Sequence, residues 1–106
     1  MSYRVELSAH ARRDLLDCIA YFTRFSDAFA MKQIERLDDV FANSLSQSPT
    51  TWNFFYVTGA PYRAYLFRVG RRTSYWIVYT VDEADRKVKA LRIWNASRRP
   101  SGFSIR

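Results

Sequence analysis

Residues 74–95 read SYWIVYTVDEADRKVKALRIWN. The first eight, 74–81, are rich in β-branched and aromatic side chains and carry no helical period, which predicts a central strand. Asp82–Arg86 is a polar turn. From 88 to 95, Lys89, Leu91 and Ile93 alternate with Val88, Ala90, Arg92 and Trp94, which predicts a second strand folded back on the first. Just upstream, Tyr65, Phe67 and Val69 alternate with Leu66 and Arg68 and stop at Gly70-Arg71-Arg72, a turn signal. Three consecutive hairpin-connected strands follow from this half of the chain.

The other half has a different period. Tyr3, Val5 and Leu7 alternate as in a short strand, expected to pair at an edge of the sheet. Ser8 is placed as a helix N-cap, and Ala11, Leu15, Cys18, Ile19 and Phe22 then recur at helical spacing over about 9–24. The opposite side, with Arg12, Arg13, Asp14 and Asp17, reads as solvated. Phe25-Ser26-Asp27 breaks the pattern. A second helix over about 28–46 turns Ala30, Ile34, Leu37, Phe41 and Leu45 inward, forming an antiparallel hairpin with the first. Residues 46–61 read as a loop with a short strand near 53–57. The expected fold is α+β: an N-terminal strand, an antiparallel helical hairpin, then a three-stranded antiparallel sheet, with the helices on one face. The whole chain, 1–106, is expected to be one domain.

Composition narrows the function. Of 106 residues, 48% are hydrophobic and 17% aromatic, enough for a real core. The formal charge is +7, and it is unevenly placed. Residues 1–62 hold six Arg/Lys and seven Asp/Glu, a net of −1, whereas residues 63–106 hold eleven and three, a net of +8. Nine of those eleven are Arg, whose planar fork suits phosphate, bases or an acidic protein surface. The single cysteine, Cys18, excludes an internal disulfide and a Cys-based zinc site. No run of eighteen apolar residues and no signal-type N-terminus occurs, so a cytoplasmic protein without a membrane partner is expected.

Most enzyme chemistry is excluded as well. Neither common Gly-rich phosphate loop is present. The lone His10 cannot assemble a metal site, Asp38-Asp39 point to different sides of a helix, and Asp82, Glu83 and Asp85 sit in a turn; no metal or cofactor is expected. What remains is an array of Arg and Tyr on the strands: Arg63, Tyr65, Arg68, Arg71, Arg72, Tyr75, Tyr79, Arg92, Arg98 and Arg99. Guanidinium groups stabilise charge on a phosphate and aromatic rings stack on bases. Metal-free RNA cleavage additionally needs groups that take and give a proton.

The order of elements, and three stretches in particular, resemble the RelE/ParE toxin superfamily. The opening YRVELSAHARRDLLDCIAYF (3–22) is similar to ParE-type members through Ser8, Ala11, Asp14, Leu15, Cys18-Ile19 and Tyr21. YRAYLFRVGRRTSYWIVYTVDE (62–83) and VKALRIWNASRRP (88–100) resemble the family's paired strands and basic C-terminal segment. The resemblance implies the toxin of a type II toxin–antitoxin system, with a cognate antitoxin whose toxin-binding part is acidic. It implies one of two targets. ParE-like members bind DNA gyrase; RelE-like members are endoribonucleases that cut mRNA in the ribosome. For the ribonuclease, Arg63 or Arg68 would match the arginine at the scissile phosphate and Arg99 the one after the last strand. The proton-transfer positions, however, fall on Asn95 and Phe103, neither of which moves a proton at neutral pH, and the 46–61 loop contains no lysine. Tyr65, Tyr75 and Tyr79 are the remaining substitutes. The departures favour a ParE-like binding inhibitor, with Arg71, Arg72, Arg92, Arg98 and Trp94 as target-binding residues. A nucleic-acid-binding module without toxicity is the rival from another class.

Overall fold

Each helix is opened by a serine. Ser8 Oγ accepts the Ala11 amide at 3.0 Å and Ser26 Oγ accepts the Phe29 amide at 3.0 Å, each satisfying an amide that a helix start leaves without an internal partner. The computed structural model describes residues 2–51, 54–55 and 62–97. In order these form β1 (Arg4–Leu7), α1 (Ala9–Thr23), α2 (Asp27–Asp39), a π-helical turn (Val40–Leu45), β2 (Phe54–Phe55), β3 (Tyr62–Arg68), β4 (Ser74–Asp82) and β5 (Lys87–Asn95).

The α+β expectation holds, with the three predicted strands at the centre of a larger sheet. Its order is β1-β5-β4-β3-β2. β3, β4 and β5 are antiparallel neighbours, while β1 joins the edge of β5 in parallel. A parallel neighbour requires a long crossover, and the helical hairpin is part of it. The short strand expected near 53–57 is β2, which pairs antiparallel with Tyr62 and Arg63 of β3.

α1 buries Ala11, Cys18 and Phe22, as the spacing predicts. α2 departs from expectation. Its buried positions are Ala30, Gln33 and Leu37, followed by Val40 and Leu45 in the π turn. Val40 to Leu45 is a five-residue step, the repeat of a π turn rather than an α turn. Ala30, Gln33, Leu37 and Val40 form one α-helical stripe, which leaves Ile34 and Phe41 half-buried beside it, and the wider turn that starts at Val40 brings Leu45 back inward. It also delivers Ser46 to the start of β1, where Tyr3 donates its amide to the Ser46 carbonyl at 2.7 Å.

The main core lies between helices and sheet, where Phe22, Leu37 and Leu45 meet Phe67, Tyr75, Ile77, Tyr79, Val88 and Ile93. Ile77, Val78 and Tyr79 are all 0% exposed, so β4 is buried on both faces at its middle. Val78 belongs to a second small cluster on the far face, with Tyr62, Trp76, Leu91 and Trp94 packed around it.

Candidate target-docking face

Residues opposite each other on neighbouring strands share a face, and strand register therefore sorts the basic and aromatic residues. Leu66 pairs with Trp76 and Trp76 with Trp94. One row over, Ala64 pairs with Val78 and Val78 with Arg92. At the rim Arg68 pairs with Ser74, next to the exposed turn that carries Arg71 and Arg72. These rows lie on the face away from the helices, as their link to the far-side cluster requires. By register Arg68, Arg71, Arg72, Trp76 and Trp94 lie toward one end of that face, with Arg92 one row further in from Trp76 and Trp94. Arg98 and Arg99, with Phe103, lie outside the described residues.

Arg63 does not join them. It pairs with Tyr79, a residue of the helix-side core, and so lies on the opposite face from Arg68. Five residues of strand also separate the two by about 16 Å along β3. They cannot grip one phosphate together. Of the proposed catalytic arginines, only Arg68 lies on the far face within the described residues.

Of the three tyrosines considered as proton-transfer groups, Tyr79 and Tyr75 are withdrawn by burial. Tyr79 is 0% exposed and its hydroxyl donates to the Pro49 carbonyl. Burial pushes its pKa up to about 12, against a small lowering by Arg63. Tyr75 is buried against Phe22, their rings edge to face at 6.0 Å. Tyr65 lines a cleft of about 590 Å³ between α2 and β3, with Arg36 and Phe67. Cys18 is equally unsuited as a nucleophile: burial, then the fields of Asp14 and Asp17, raise its thiol pKa to about 12.

Arg92 is anchored rather than loose. Its Nε lies 2.7 Å from Asp14 Oδ2, and its guanidinium sits 5.1 Å from the Trp94 ring centroid, within cation–π range. The helical wheel had placed Asp14 on the solvated side of α1. In the structure Asp14 is instead half-buried, because it reaches β5. Trp76 and Leu66, which sequence reading did not single out for the face, belong to its central row. Their parity relative to Val78 is the signal that locates them. Among the described residues no group of three or more His, Cys, Asp or Glu is placed to hold a metal, and no helix is long and apolar enough to cross a membrane.

This arrangement, a five-stranded mixed sheet backed on one face by a helical hairpin, is the fold to set beside known proteins. The family model of the ParE toxin of the type II toxin–antitoxin system parDE matches residues 5–100, and the chain belongs to that family. Its fold is similar to that of a chain in the toxin–antitoxin complex RelBE2 from Mycobacterium tuberculosis, with a TM-score of 0.61 and 19% identity over 92% of this chain and 95% of that one. No curated protein matches the sequence closely enough to count as a relative.

Proposed function

We propose that this toxin arrests growth in the ParE-like manner, by binding an essential target of the DNA gyrase class through the face that carries Arg68, Arg71, Arg72, Trp76, Trp94 and Arg92. It acts in the cytoplasm, and a cognate antitoxin with an acidic segment keeps it silent. The face offers guanidinium and indole groups, which suit recognition of an acidic protein or a polyanion. The observation that carries the proposal is the separation of Arg63 from Arg68 on opposite faces, together with the burial of Tyr75 and Tyr79. Cleavage of RNA needs a proton acceptor and a phosphate clamp at one point. Asp14, the carboxylate beside Arg92, is already committed to that side chain and to the Ile93 amide.

Purified toxin added to a gyrase supercoiling reaction tests this. Inhibition that is relieved by Trp94→Ala or by Arg71→Glu with Arg72→Glu is expected. Unimpaired supercoiling, with loss of RNA in a translating extract, would replace the binding mode with the RelE-like ribonuclease.

A further inference from the structure

β5 does not run evenly along β4. Tyr79 pairs with Ala90 and the next row pairs Val78 with Arg92, so Leu91 is an extra residue with no partner on β4. Such a bulge changes which side chains point to which face. Ala90, before it, lies in the helix-side core, and without the extra residue Arg92, two positions on, would follow it there. With the bulge in place, Leu91 and Trp94 pack with Val78 on the far face, and Arg92 stands opposite Val78. The bulge is what turns Arg92 and Trp94 toward the docking face.

The groups that hold this bulge come from α1 and its cap. Ser8 Oγ donates to the Leu91 carbonyl at 2.9 Å, and Asp14 Oδ2 accepts the Ile93 amide at 3.0 Å. The same carboxylate receives the Arg92 guanidinium at Nε and Nη2, at 2.7 and 3.2 Å. A two-point contact fixes the plane of the guanidinium, which lies 5.1 Å from the Trp94 ring centroid. Asp17, three residues further along α1, is exposed, and its side chain makes no hydrogen bond or ion pair among the described residues.

We infer that Asp14, on the helical side of the molecule, is a positioning residue for target recognition: it holds the β5 bulge and the Arg92 guanidinium, and through them sets the Trp94 ring in the orientation that the target meets. This rests on the target-docking reading given above. An aromatic ring fixed before contact loses less freedom on binding than one that must be ordered, and rigid aromatic anchors carry much of an interface's affinity. Arg92, its charge neutralised by Asp14, acts chiefly by holding the ring. The positive charge that the face turns toward its target then comes from Arg68, Arg71 and Arg72, which are exposed at the rim.

The test measures the Kd of the full chain for DNA gyrase, together with the NMR signal of the Trp94 indole N–H in the unbound chain. Asp14→Asn keeps an oxygen for the Ile93 amide and loses the charge that holds Arg92. It should shift the indole signal and weaken gyrase binding about tenfold. Asp17→Asn changes the net charge equally and should do neither. Added to Trp94→Ala, Asp14→Asn should weaken binding by less than about twofold more, because the ring it positions is already gone. Arg92→Lys, which keeps the charge and loses the planar fork, should reproduce the effects of Asp14→Asn and takes its place if that variant fails to fold. An unmoved indole signal, or a full tenfold loss on top of Trp94→Ala, would overturn the inference while leaving the docking reading in place. No binding of gyrase by the unaltered chain would overturn both.

Discussion

Asp14 on α1 grips Arg92 on β5, Nε to Oδ2 at 2.7 Å and Nη2 to Oδ1 at 3.2 Å, and the same carboxylate accepts the Ile93 amide at 3.0 Å. The location explains the contact. β1 covers β5 only as far as the pairing of Leu7 with Ala90. Beyond it the β5 edge would present bare backbone, and Ser8 Oγ, donating to the Leu91 carbonyl at 2.9 Å, and then Asp14 take over. Side chains of the first helix finish what the first strand begins.

Both side chains of this pair are largely buried, at 14% exposure for Asp14 and 15% for Arg92. Removing one partner strands the other. Asp14→Ala is therefore expected to cost about 3 kcal/mol of folding stability, measured by urea denaturation. Leu16→Ala on the same helix, at an exposed position, should cost less than about 0.5 kcal/mol. Equal effects at the two positions would refute the edge-capping role.

The far-face residues should behave in the opposite way. Arg71 and Arg72 are exposed in the β3–β4 turn, so reversing both charges should leave the denaturation midpoint within about 0.5 kcal/mol of the parent. Target association should slow and lose much of its dependence on ionic strength, because exposed charges act mainly on encounter. Stopped-flow binding at two salt concentrations reads both. A rate unaffected by the reversal would move the docking surface elsewhere.

Alkaline pH should unfold the protein earlier than its exposed groups suggest. Cys18 is raised from 9.0 to about 12 and Tyr79 from 10.0 to about 12, both mainly by burial. The folded state holds these protons more tightly than the unfolded state. Their contribution is complete below pH 9, begins to fall between 9 and 10 through Cys18, and falls more steeply from 10 to 12 as Tyr79 joins. Cys18→Ala should flatten the stability curve between pH 9 and 10 while leaving the later fall. A parent curve already flat to pH 11 would contradict this assignment.

Tyr79→Phe isolates a single hydrogen bond. The hydroxyl donates to the carbonyl of Pro49, thirty residues away, tying the segment after the π turn to the central strand. Losing it leaves a buried carbonyl without that partner, at about 1–2 kcal/mol. Thermal unfolding should drop accordingly, with growth arrest intact, because the residue faces the helices.

Much of this was legible in the sequence, for reasons that can be named. The strands of 74–95, the two serine caps and the inward positions of α1 all follow from local period and cap chemistry. The π turn was not, because a helix pattern of Leu37, Phe41 and Leu45 is also consistent with an unbroken α-helix. Asp14 and Arg92 are 78 residues apart, and nothing in the period of α1 separates a solvated aspartate from one that caps a distant strand edge. The arginine array failed as a single cluster for a matter of parity: Arg63 and Arg68 differ by an odd number of residues, which sends them to opposite faces. The same parity buries Tyr75 and Tyr79 while bringing Trp76 beside Trp94.

Inducible expression in a bacterial host, with primer extension on an abundant messenger before and after induction, tests the central claim most directly. Growth arrest with intact messenger 5′ ends, abolished by Trp94→Ala and not by Arg63→Ala, is the predicted result. Arrest with new codon-phased 5′ ends would contradict it and make the toxin a ribonuclease.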